Sequence, residues 1–104
     1  MNSFNQALLK SIDDTLAAVL GSAYRDAIYM DLATRFSVTK EQLPERLPTL
    51  LQVLIENFGV TATNAISKAT AKELCSQLET EFIDNTYMTF ESYIKQLKQN
   101  VNQT

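Results

Sequence analysis

The sequence predicts an all-α fold, a compact bundle of about five helices with antiparallel neighbours. Three observations carry this. Apolar residues recur every three or four positions along most of the chain, the period of one helix face. Only two glycines and two prolines stand among 104 residues, too few for the many tight turns of a sandwich or barrel. The polar stretches between apolar stripes are short, which sets successive helices side by side and antiparallel.

Phe4, Leu8, Ile12, Leu16, Val19 and Leu20 place a first helix over residues 3–20, with Lys10, Asp13 and Asp14 on its solvent side. Asn2 or Ser3 suits its N-cap, and Gly21 can take the left-handed conformation that closes it. Ser22 then caps a second helix reaching about Ser37, with Tyr24, Ala27, Ile28, Leu32 and Phe36 inward and Val38 packing as the chain leaves. Leu43 and Leu47 precede Pro44 and Pro48, and residues before proline avoid the α region. Residues 39–47 therefore read as a connector with room for one helical turn, opened by Thr39 bonding to the Gln42 N–H. Pro48 fits the first turn of a third helix.

That third helix carries the densest stripe, Leu47, Leu50, Leu51, Leu54, Ile55 and Phe58, and stops at Gly59; its density predicts a central position. A fourth spans residues 63–78, capped by Thr61 or Thr63, with Ala62, Ile66, Ala69, Leu74, Cys75 and Leu78 inward. Residues 79–88 leave two alternatives open: Phe82 and Ile83 continue the fourth helix, or they cross the core as an extended segment. Thr86 or Thr89 caps a fifth helix with the stripe Phe90, Tyr93, Ile94, Leu97 and Val101, and the polar stretch 99–104 is expected to fray. No repeat and no long linker divides the chain, so residues 1–104 form one helical domain.

Composition excludes most chemistry. The chain has no histidine, so the usual general base, metal ligand and near-neutral switch are missing together. One cysteine, Cys75, allows no internal disulfide. Set between Leu74 and Leu78, it reads as a small buried hydrophobe. The two glycines lie far apart, so there is no phosphate loop. A zinc site would need carboxylates around a single thiol. No catalytic residue, cofactor site or metal site is predicted, and the chain is expected not to be an enzyme. With net charge −3 and nine scattered Lys and Arg residues, nucleic-acid binding is not expected unless Lys68 and Lys72 join other bases on one surface. No apolar run is long enough to span a bilayer and the N-terminus lacks a secretory pattern, so a soluble cytoplasmic protein is expected.

The carboxylates offer little. Asp13 and Asp14 diverge by about 100° as helix neighbours. Asp26 and Glu91 have room to sit near other charges, Glu79 and Glu81 read as a solvated turn, and Asp31 reads as the partner of Arg35 four residues on. Tyr24 and Tyr93 fall on apolar stripes and are expected in the core with hydroxyls at its rim. Tyr29, Met30, Tyr87 and Met88 fall beside the stripes. They form the candidate interaction surface, for an unidentified protein partner or a second copy of the chain in a homodimer. The alternative is a small-molecule binding or sensing domain, with a pocket lined by Tyr24, Phe36, Phe58 or Phe82.

The order of Leu8, Ile12-Asp13-Asp14, Ala27-Ile28-Tyr29, Leu32, Phe36, Leu43-Pro44-Glu45, Leu54, Phe58-Gly59, Leu74, Leu78-Glu79, Phe82, Phe90 and Tyr93 resembles an archaeal Nitrosopumilus output domain family. Its members are small helical proteins, stand-alone or linked to signalling receivers. The resemblance spans nearly the whole chain but rests on core residues, a proline turn and a glycine stop. It implies a regulatory or interaction module and brings no catalytic motif. The chain departs from the family in its higher Asn, Gln and Thr content and its fewer charges.

Overall fold

The computed structural model describes residues 3–84 and 88–102. The first stripe folds as α1 (Ser3–Leu20) and the second as α2 (Ser22–Phe36). A 3-10 turn (Lys40–Glu45) precedes α3 (Leu47–Gln77), which is broken at Gly59, and α4 (Phe90–Asn102) ends the described chain. The all-α bundle is observed. The two arms of α3 are the third and fourth predicted helices.

Both glycines make joints, and the two joints share one conformation. Gly21 sits at φ 88, ψ 153 and Gly59 at φ 85, ψ 173, a region essentially confined to glycine. Gly21 donates its N–H to the Ala17 carbonyl, closing α1, and accepts from the Arg25 N–H, opening α2. One residue therefore stops one helix and caps the next. This displaces the expected caps: Ser22 is already helical, and Thr61 and Thr63 lie inside the second arm, which resumes at once after Gly59.

The other breaks do not use glycine. Ser37 (φ 55) and Glu79 (φ 55) take the left-handed position after α2 and α3. After α2 the Ser37 and Val38 N–H groups both reach the Leu32 carbonyl; after α3 the Thr80 N–H reaches that of Cys75, the six-to-one bond of a Schellman ending. In the connector Thr39 and Gln42 form the expected capping box, with Gln42 Oε1 accepting the Thr39 N–H at 2.9 Å. Residues 81–84 carry no helix or strand, and Ile83 stands 65% exposed. The segment neither continues the fourth helix nor crosses the core: it runs over the surface. Thr89 caps α4, its Oγ1 accepting the Ser92 N–H at 3.1 Å. α4 runs to Asn102, so the polar stretch from residue 99 enters its last turn. Thr86 and the chain beyond Asn102 lie outside the described residues.

The core joins Leu8, Ile12 and Leu16 of α1, Ile28 and Leu32 of α2, Leu50, Val53, Leu54, Ile66 and Leu74 of α3, and Ile94 of α4. Val38 and Leu43 are also fully buried, so the connector is part of the core. α3 packs on α1, α2, the 3-10 turn and α4, the central position its stripe predicts. The radius of gyration, 13.1 Å, matches the roughly 13 Å of a compact chain of about 100 residues. Five residues of the predicted stripes face solvent instead: Val19, Tyr24, Ala27, Ile55 and Val101 are exposed. Helices fold on a 3.6-residue period, and at stripe edges the neighbouring helix decides which side is covered.

Candidate functional site

The sequence-predicted surface divides. Met30 is 65% exposed on α2. Tyr29 is half-buried and turned inward: its hydroxyl donates to Asp13 Oδ1 at 2.9 Å. Arg25 Nη1 and Lys40 Nζ reach the same carboxylate at 3.4 and 3.3 Å, and Lys40 Nζ lies 5.7 Å from the Tyr29 ring centre. Asp13, read as a solvent-side residue, is therefore the hub tying α1 to α2 and the connector. Tyr87 lies outside the described residues, and Met88 is half-buried away from Tyr29 in a cleft treated below. Tyr24, expected in the core, is 45% exposed and leans on Phe58 at 5.2 Å between ring centres. It stands one turn from the Gly21 joint, where α2 has only begun to cover α1.

Burial pushes the Tyr29 hydroxyl above its usual value, and its bond to the Asp13 anion adds to this. Burial also pushes Asp13 up, but the Tyr29 and Lys40 hydrogen bonds and the Lys40 and Arg25 charges outweigh it and hold the carboxylate low. The signs follow. Tyr29 contributes its stability below its unfolded value near 10 and loses it as pH rises toward the folded value. Asp13 contributes above its unfolded value and loses it as pH falls through the lowered one. Tyr29→Phe is expected to destabilise the fold at pH 7 by roughly 1.5–3 kcal/mol, the range for a hydrogen bond to a charged group. It also removes this pair's share of the alkaline loss. Urea midpoints at pH 7, 9 and 11 check both; parallel alkaline losses in parent and variant would contradict the assignment.

Other charges are mostly accounted for. Arg35 makes the expected pair with Asp31 at 2.7 Å and adds Glu56 of α3 at 2.8 Å; the hydrogen bonds from Arg35 hold Asp31 below the usual range. Lys10, Arg25, Arg35, Lys40 and Lys68 each pair with a carboxylate. Lys72 Nζ lies over the Phe82 ring at 5.6 Å. The two lysines required for a basic face are thus engaged locally. Among the described residues no group of three His, Cys, Asp or Glu is placed to hold a metal, and no helix is long and apolar enough to cross a membrane.

A cleft of about 490 Å³ lies between α3 and α4, within the 300–1,000 Å³ range of small-molecule sites. Its floor comes from both arms of α3. Leu51 and Ile55 stand before the Gly59 break, and Thr63, Ser67 and Ala71 after it. Phe82, Met88, Phe90 and Tyr93 supply the opposite wall, and Lys68, Asp84 and Glu91 the charges. Lys68 Nζ and Asp84 Oδ2 meet at 2.5 Å, fixing residues 81–84 to α3. Tyr93 holds the other end. Its hydroxyl accepts the Ile83 N–H at 3.3 Å and lies 3.7 Å from Cys75 Sγ, while its ring meets Phe82 at 5.7 Å. Burial pushes the Tyr93 hydroxyl upward, against the lowering effect of that N–H. Cys75 is buried, as its flanks predicted.

One buried polar group beneath the cleft lacks a partner among the described residues. Thr63 is 2% exposed, and its Oγ1 makes no hydrogen bond among the described residues. Other helical hydroxyls bond back to the carbonyl four residues earlier: Ser11 to Ala7 at 2.8 Å, Thr34 to Met30 at 3.0 Å and Thr70 to Ile66 at 2.8 Å. Four residues before Thr63 stands Gly59, where the backbone leaves the helix. A buried, unsatisfied hydroxyl costs about 1–3 kcal/mol, and here the break at Gly59 removes the acceptor that a helical threonine ordinarily uses. Of the pocket residues expected from sequence, Phe82 lines this cleft; Tyr24, Phe36 and Phe58 do not. Compared with known proteins, the chain matches no family model, no curated protein and no solved structure.

Proposed function

We propose that this chain is a non-enzymatic regulatory module that senses a small apolar molecule held between α3 and α4. The cleft carries the reading: about 490 Å³, walled by aromatic and aliphatic side chains. The construction of α4 supports it. Of its stripe only Ile94 is fully buried, while Phe90 and Tyr93, which line the cleft, are half-covered, so a ligand that fills the gap completes their burial and tightens α4 on α3. Binding of that kind shifts the population of the docked helix, which is the elementary act of a sensor. The regulatory role agrees with the resemblance to the archaeal output domains. The protein-interaction reading retains Met30 as an exposed apolar side chain, but Tyr29 is committed to Asp13.

Toluene is the first probe. Titrating the isotope-labelled protein is expected to give saturable amide shifts at Ser67, Ala71 and Phe90. Ser67→Phe, which places a ring inside the cleft, is expected to abolish them while the circular dichroism stays helical. Weak shifts that never saturate and spread to Met30 and Val19 would remove the cleft from consideration.

A further inference from the structure

We infer that α4 and residues 81–84 leave α3 together as one local unit of the native fold, and that this opening uncovers the Cys75 thiol. The core closes without α4. Among the described residues, Ile94 is the one fully buried apolar side chain that α4 supplies; the others come from α1, α2, the connector and α3. The second arm of α3 is anchored from its other side. Leu74 is fully buried in the shared cluster, and Gln77 Nε2 donates to Ser11 Oγ of α1 at 2.9 Å. That arm therefore keeps its place when α4 departs. The cleft already parts the facing surfaces of α3 and α4, so opening has less packed contact to break there. A segment with little buried apolar contact lies at the low-stability end of a fold and opens ahead of the rest.

Tyr93 makes the two pieces one unit. Its hydroxyl accepts the Ile83 N–H at 3.3 Å and its ring meets Phe82 at 5.7 Å. The unit begins past Thr80, whose N–H is still held by the Cys75 carbonyl. Its polar hold on α3 includes the Lys68–Asp84 pair at 2.5 Å and Lys72 Nζ over the Phe82 ring at 5.6 Å. The two side chains of the pair are 48% and 49% exposed, and pairs so exposed hold weakly and are screened by salt. Cys75 itself is 1% exposed, with the Tyr93 hydroxyl 3.7 Å from its Sγ. Tyr93 is thus part of the cover on the thiol, and it leaves with α4. A molecule that fills the cleft touches both walls and holds the unit shut. That control rests on the sensing reading above; the opening itself does not.

Alkylation of Cys75 by iodoacetamide, followed by intact mass on the full chain, reads the opening. The native protein is expected to react through an opening whose urea dependence is less than about half that of global unfolding, because only α4 and its segment expose new surface. Ile94→Ala loosens α4 and is expected to speed labelling roughly tenfold or more. Asp84→Asn, which removes one exposed ion pair, is expected to speed it by roughly one-and-a-half- to fivefold and serves if Ile94→Ala does not fold. Leu32→Ala is the control. It lies on α2, which packs on α1 and α3, so it weakens the whole fold and is expected to leave labelling within about twofold of the parent. Labelling with the urea slope of global unfolding, or sped as much by Leu32→Ala as by the α4 variants, overturns the inference. Labelling indifferent to both Ile94→Ala and Asp84→Asn does so too, since the thiol is then uncovered by some other motion. Saturating toluene is expected to slow the parent's labelling by roughly threefold or more. A local, α4-dependent labelling that toluene leaves unchanged upholds the opening and counts against the sensing reading alone.

Discussion

The double variant Gly21→Ala, Gly59→Ala is expected to lose roughly 2–6 kcal/mol of stability, about 1–3 for each joint. Both glycines hold φ near +85 to +88 with ψ extended, a conformation that a Cβ opposes through its own backbone. Nothing else opposes it: a Cβ built at either position meets no atom within 4 Å. The penalty is therefore pure backbone strain, and two separate joints should add. Against the 5–15 kcal/mol net stability of ordinary domains, the double variant approaches unfolding. Urea midpoints of the single and double variants measure it, and a D-alanine at either site, which accepts positive φ, is the control expected to keep full stability. A double variant within about 0.5 kcal/mol of the parent would show that the joints accept another backbone. The singles also separate fold from function. Gly59 sets the angle between the two arms that floor the cleft, so Gly59→Ala is expected to weaken toluene binding and Gly21→Ala to spare it.

These joints mark where sequence reading stops. A glycine after an apolar stripe was legible as a helix stop, since few residues tolerate positive φ. That the next helix begins on the same residue was not legible, because a one-residue joint leaves no linker composition to read. The same asymmetry runs through the ion pairs. Asp31 and Arg35 meet on one helix at a spacing any helix enforces, and they were legible. Tyr29 reaches Asp13 across sixteen residues and a chain reversal, and no local pattern announces that. Thr63 did carry a signal. Thr63, Ile66, Thr70 and Leu74 share one buried face at helical spacing, but a threonine near a helix start also reads as a cap. The cleft depends on where α4 lies, and only packing decides that.

Leu8→Ala, set beside Val19→Ala, draws the second large effect from a single helix. Both residues fall on the apolar stripe of α1 by spacing. The structure separates them: Leu8 is 0% exposed and Val19 is 55% exposed. Leu8 belongs to the cluster that joins α1 to α2, the connector and α3. Truncating it removes buried methyl groups and leaves a hole that helix-held neighbours fill only in part, for a cost of about 2–5 kcal/mol. At Val19 no hole forms. Alanine there also has the better helix propensity, so the change should stay within about 0.5 kcal/mol of the parent in either direction. Thermal and urea unfolding of the two variants give the comparison directly. A Val19→Ala cost as large as that of Leu8→Ala would mean that α1 presents its whole stripe to a partner, a second copy of the chain included. The exposure of Val19 would then belong to the isolated chain alone, and the reading of the molecule would move from a ligand-holding cleft toward an interface on α1.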